Sequence, residues 1–200
     1  MRSVSPTEEK NGVKIYTRSS FGKGYVLTDV YDVRQTTGRD LKHTVLQPDS
    51  KEMTEALKML LNYCVVPLLS EESIPMPALY EPDQMKMAVN PKYSNAEAFA
   101  SIATEIAHVR FHAKGYNQNY SREDYELDAQ SVGYMICRRF GVPCEAPDTS
   151  NLAALYDGFD AMDRRGALGQ IQDLAQKIGG SIERAISPQT RTRNMNRTAR

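Results

Sequence analysis

Two of the three histidines in this chain, His108 and His112, stand four residues apart. On a helix that spacing puts both imidazoles on one side, where they can share a divalent ion. Glu105 precedes His108 by one helical turn and falls on the same stripe, with Thr104 and Ser101 beside it. A carboxylate so placed can orient a ligand or take a proton from it. Glu126 lies early in a following helical segment and can approach from there. Each residue also has a plainer reading. A helical histidine is more often a packed or surface residue, Glu105 can be the charge partner of His108, and Glu126 in a first helical turn suits the helix dipole.

Such a stripe has to be carried by a helix, and Ser94 to Ala113 has the means to form one. Ser94 can cap it and Glu97 can reach back, and neither proline nor glycine interrupts the run before Gly115. At about 100° per residue, Ser101, Thr104, Glu105, His108 and His112 share an arc of roughly 100°. Ala100, Ala103, Ala107 and Phe111 flank it on one side, Ile102 and Val109 on the other, and Phe99, Ile106 and Arg110 cover the rest. A helix apolar nearly all round is expected to be buried, and its polar stripe then needs partners.

After a loop at 115–120, where Tyr116 and Tyr120 line a cleft or sit on the surface, Ser121 caps a second helix running to about Phe140. Glu126, Ala129, Gln130, Gly133 and Cys137 form one stripe of it, with small residues that permit close approach. Gly141 and Pro143 close it.

The rest of the chain supplies a frame. Residues 1–10 read as loose. Val13 to Thr17 and Gly24 to Val33 alternate as strands of an antiparallel sheet, with Asp29, Asp32 and Gln35 as turn or sheet-edge residues. Ser50 to Leu69 reads as a helix that Pro67 bends or ends. Ala78 to Asn90 reads as a hairpin turning at 81–84, its second strand, Met85 to Val89, expected at the sheet edge. Leu152 to Met162 reads as a short helix. Ala167 to Ile186 reads as a longer one, with Leu168, Ile171, Leu174, Ala175, Ile178 and Ile182 on its apolar face.

The balance of 25 basic and 25 acidic residues removes any global field toward nucleic acid or membrane. A mean hydropathy of −0.53 fits a soluble chain. No apolar run is long enough to span a bilayer, and the first residues lack a signal peptide's apolar segment. Cys64, Cys137 and Cys144 show no CxxC pairing. The expectation is reduced thiols, a cytoplasmic location and no membrane partner. The final stretch, RTRNMNRTAR, carries Arg191, Arg193, Arg197 and Arg200 without an acid, a solvated tail or a nucleic-acid contact.

The string Thr104-Glu105-Ile106-Ala107-His108 is one residue away from H-E-x-x-H, in which two histidines hold zinc and the glutamate takes a proton from metal-bound water. With VYDVRQTTGR (30–39), MKMAVNPKYSNAEAFASIATEIAH (85–108) and ELDAQSVGYMICRRFGV (126–142), the chain resembles the zincin-like metallopeptidase domains of conjugative elements and phages. These are the LtrC-like and ArdC-type antirestriction group, more distantly similar to ImmA/IrrE peptidases. The resemblance covers roughly 12 to 186. It implies an α+β zincin-like fold, a small antiparallel sheet packed on a helical core; outside it, composition reads 1–11 as a flexible N-terminus and 187–200 as a basic disordered tail. It further implies His108 and Glu126 as zinc ligands, Glu105 as general base, and a role against host restriction through a host defence protein, a peptide segment or single-stranded DNA.

Thr104 is the departure. If about 10–16 kcal/mol of zinc binding is spread over four ligands, losing one costs roughly 3 kcal/mol, so zinc is expected weak or absent. Three outcomes stay open. The site is an internal hydrogen-bond network in a pseudoenzyme that acts by binding. Alternatively, His112 substitutes, giving a shifted zinc peptidase site of His108, His112 and Glu126, Glu123 or Asp128. In the third, Thr104 and water complete a weak site. A transfer-accessory or scaffold protein is the remaining functional alternative.

Overall fold

The computed structural model describes residues 8–10, 13–15, 44–113 and 119–187. The chain divides into two compact units, Met1–Lys42 and His43–Arg200. In the first, β1 (Glu8–Lys10) pairs antiparallel with β2 (Val13–Ile15), so the segment that reads as loose ends in a strand. The expected strand at 24–33, Asp29, Asp32, Gln35 and the string 30–39 lie outside the described residues.

The second unit is α+β. α1 (Lys51–Leu61) starts at Ser50, whose Oγ accepts from Met53 N at 3.0 Å, and buries Met53, Ala56 and Leu60. It ends well before Pro67, which leads into a strand instead of bending a helix: its carbonyl accepts from Met87 N at 2.9 Å. β3 (Leu68–Ser70), β4 (Ala78–Glu81) and β5 (Lys86–Val89) form one sheet in the order β3-β5-β4. The hairpin β4–β5 turns at Pro82–Gln84 as expected, with Met85 left-handed at φ 49°. Two expectations are corrected. The sheet is mixed, since β3 runs parallel to β5, and β5 is its central strand, so no peptide can add there.

α2 (Asn95–Ala113) is the expected central helix. Ser94 and Glu97 make the reciprocal cap: Glu97 Oε2 accepts from Ser94 N at 3.0 Å, and Glu97 N reaches Ser94 Oγ at 3.4 Å. Phe99, Ile102, Ala103, Ile106, Ala107 and Val109 are buried, packed among α1, the sheet and α3 (Arg122–Arg139). Ser121 Oγ caps α3 through Asp124 N at 3.1 Å. Gly141, at φ +64°, ends the helix in a conformation L side chains rarely adopt, and Phe99 meets Phe140 edge-on beneath it.

α4 (Leu152–Leu155) is a single turn. α5 (Ala161–Ile186) begins earlier than the apolar pattern suggests, because Asp160 and Asp163 form a capping box while Met162 and Leu168 stay exposed. Its buried face is Ile171, Ala175, Ile178, Gly179 and Ile182, without Leu168. Cys64, Cys137 and Cys144 are free thiols, Cys137 buried. Among the described residues, no helix is long and apolar enough to cross a membrane.

Candidate functional site

The outer edge of β4 faces the polar stripe of α2. The hydrogen bond from Asn90 N to Pro77 O, 2.9 Å, sets the parity of the hairpin, so Ala78 and Tyr80 turn their backbone groups away from β5. Side chains meet them there. Ser101 Oγ accepts from Ala78 N at 3.1 Å and donates to Ala78 O at 3.2 Å. Glu105 Oε2 accepts from Tyr80 N at 2.8 Å, and Arg122 Nη1 donates to Tyr80 O at 3.3 Å. This edge of the sheet is capped group by group.

Arg122, the first residue of α3, stands at the centre of the cluster. Its Nη2 and Nη1 donate to Glu105 Oε1 and Oε2 at 2.6 and 2.9 Å, a bidentate pair, and its Nε lies 3.4 Å from Glu126 Oε2. The Glu105 side chain is 6% exposed, and hydrogen bonding to it raises the pKa of the guanidinium.

His108 is fully buried. Its Nδ1 is hydrogen-bonded to the Tyr120 hydroxyl at 2.8 Å, and burial holds that phenol in its un-ionised form by raising its pKa. Nε2 lies 3.3 Å from Glu126 Oε2 without forming a hydrogen bond to it, and among the described residues it has no hydrogen-bond partner. Gln130 Nε2 donates to Glu126 Oε1 at 2.8 Å. The contact with His108 pulls the Glu126 carboxyl down to about 2 against the effect of burial, with Gln130 and the Arg122 charge adding.

The structure thus brings Glu105, His108 and Glu126 together, and sends His112 to other work. Nδ1 of His112 is hydrogen-bonded to the Tyr80 hydroxyl at 2.7 Å, and its ring stacks on Tyr120 at 4.4 Å. Asp128 accepts from the Tyr156 hydroxyl at 2.8 Å. Thr104 Oγ1 donates to Ala100 O at 3.4 Å and abuts Gly133 of α3. A Cβ at 133 would overlap that oxygen and stand 3.2 Å from Thr104 N and 3.3 Å from its Cα. At the position where an imidazole would complete H-E-x-x-H, Thr104 packs against the neighbouring helix at Gly133. Arg191, Arg193, Arg197 and Arg200 lie outside the described residues.

Among the described residues, no three His, Cys, Asp or Glu side chains are arranged to hold a metal ion. The two carboxylates of the candidate site turn oxygens toward a guanidinium instead. As folded, this donor set does not fit a metal. Sequence reasoning misses Arg122, although its spacing of four from Glu126 signals a helical ion pair. That it also reaches Glu105 is a tertiary fact with no local signature.

No protein-family model and no curated protein matches the chain. Two crystal structures are similar to it, both of the antirestriction protein ArdC from plasmid R388. The Mn(II)-bound form is 20% identical with a TM-score of 0.44, over 82% of this chain and 63% of that one. The metal-free form is 18% identical with a TM-score of 0.49, over 88% of this chain and 67% of that one.

Proposed function

We propose that this chain is a zincin-like protein of a conjugative element or phage that acts by binding, not hydrolysis, against host restriction or a related defence. The state of Glu105 supports the binding role. A general base must be free to accept a proton from water, yet both Glu105 oxygens are already taken by Arg122 and by Tyr80 N. The capped β4 edge supports it further, because a substrate peptide adding as a strand would find no unpaired backbone at Ala78 or Tyr80. The anti-defence setting comes from the sequence strings 30–39, 85–108 and 126–142, and antirestriction is the activity named for the R388 protein. The partner on this reading is a host defence protein or peptide segment, with single-stranded DNA reached through the arginines at 191–200.

The test is protection of unmodified phage or plasmid DNA in a restricting host expressing the chain. Wild type and Glu105→Gln are expected to protect equally. Absence of protection, or its loss in a folded Glu105→Gln protein, overturns the proposal. Loss on His112→Ala in a folded protein would point instead to a peptidase using the shifted zinc site.

A further inference from the structure

We infer that the Arg122 guanidinium is the resident cation of this site, standing where the donor set would otherwise take a divalent metal. Three observations converge. Glu105, nearly buried, takes its positive partner from Arg122, whose Nε also lies 3.4 Å from the half-exposed Glu126. Buried carboxylates need such compensation. His108 Nε2, fully buried, has no hydrogen-bond partner among the described residues and lies 3.3 Å from the Glu126 oxygen that Arg122 also approaches. Moreover, Tyr80 O, on the strand edge, receives a third contact from the same guanidinium, so one planar group ties α2, α3 and β4 together. Forked donors suit this task, since guanidinium geometry matches a carboxylate edge and leaves a nitrogen for a second acceptor.

The consequence is exclusion. A divalent ion and the guanidinium compete for the same oxygens and repel each other at that separation. Removing the guanidinium leaves Glu105, His108 Nε2 and Glu126 as two carboxylates and an imidazole, a donor set that divalent transition metals accept. In this latent site Glu105 becomes a ligand. The inference concerns only the charge balance of the site and stands apart from what the protein binds.

The experiment measures binding of Zn2+ and Mn2+ chloride to the full chain by calorimetry and by melting temperature. Wild type is expected to bind neither stoichiometrically. Arg122→Met, which keeps the stem and loses the charge, is expected to bind one ion with affinity raised roughly a hundredfold or more. Adding His108→Ala to it should abolish that gain. Arg122→Lys, which keeps the charge, should stay metal-free. One tightly held ion in wild type that is lost in His108→Ala and Glu126→Ala overturns the inference, as does a folded Arg122→Met protein with no gain. If Arg122→Met is unfolded without metal, recovery of its helical circular dichroism on adding either ion supports the inference, and no recovery overturns it. Because the readout is metal binding, its failure is distinguishable from failure of the protection assay.

Discussion

Arg122 and Glu105 face each other across the α2–α3 interface through two parallel hydrogen bonds, 2.6 and 2.9 Å long. The pair is lopsided: the Glu105 side chain is 6% exposed and the Arg122 side chain 29%. Arg122→Ala strands a buried carboxylate and is expected to cost about 3–5 kcal/mol. Glu105→Ala leaves the guanidinium with Glu126 and partial hydration, and should cost less. The double variant should be more stable than Arg122→Ala alone. Urea denaturation of the four proteins checks this, and equal costs for the two single variants would refute the asymmetry.

Gly133→Ala is expected to destabilise by about 1–3 kcal/mol, although alanine is intrinsically the better helix former. The new methyl meets Thr104 Oγ1 and crowds the α2 backbone behind it. Adding Thr104→Ala removes the oxygen but not the backbone, so it should restore only part of the loss. Melting temperatures of the three proteins decide the matter.

Ser101→Ala removes the hydroxyl that accepts from Ala78 N and donates to Ala78 O at the strand edge. The expected cost is about 1–2 kcal/mol. Hydrogen exchange at the Ala78 amide should quicken in this variant while the amides within α2 stay protected; an unchanged rate at Ala78 would mean the serine does not hold the edge.

Acid sensitivity should have a component at α3–α5. Arg139 forks onto Glu183 at 2.9 and 2.8 Å, crossing α5 at Gly179, and this hydrogen bonding lowers the Glu183 pKa below 4.5. A carboxyl depressed in the folded state contributes stability that is present above its unfolded value and lost as pH falls through the folded one. Wild type and Glu183→Gln should therefore differ at about pH 6 and converge at an acidic pH below the depressed folded value. Glu183 is half exposed, so the difference is small and shrinks further in salt. Denaturation curves at both pH values, with and without added salt, provide the check.

If the arginines at 191–200 touch single-stranded nucleic acid, four neutralised phosphates imply a log–log salt slope near −3. Deleting 191–200 should flatten that slope. Binding indifferent to salt or to the deletion would remove the tail from the account.

Much of the helical frame was legible in the sequence because its signals are local. Ser94 with Glu97, and Ser121 with Gly141, bound α2 and α3 where the structure has them. The approach of α3 at Gly133 was visible as a stripe of small residues. The strand β3 was not legible: Leu68 to Ser70 continues an apolar run from α1, and its pairing with Met87 to Val89 is non-local. The start of α5 was hidden because its first turns have no buried face, only a cap. At the site, the meeting of Glu105, His108 and Glu126 followed from stripe and motif. The arginine among them did not, since a charged residue just past a helix cap reads as solvent-facing until the tertiary partner is known.

The capped margin of β4 bears on self-association as well as on chemistry. Ordered aggregates grow when one molecule's open strand margin templates the next, and at Ala78 and Tyr80 that margin already holds Ser101, Glu105 and Arg122. From this flank a crowded solution of the protein has nothing to zip onto, and Ser101→Ala or Arg122→Met would be the changes that invite fibrils there.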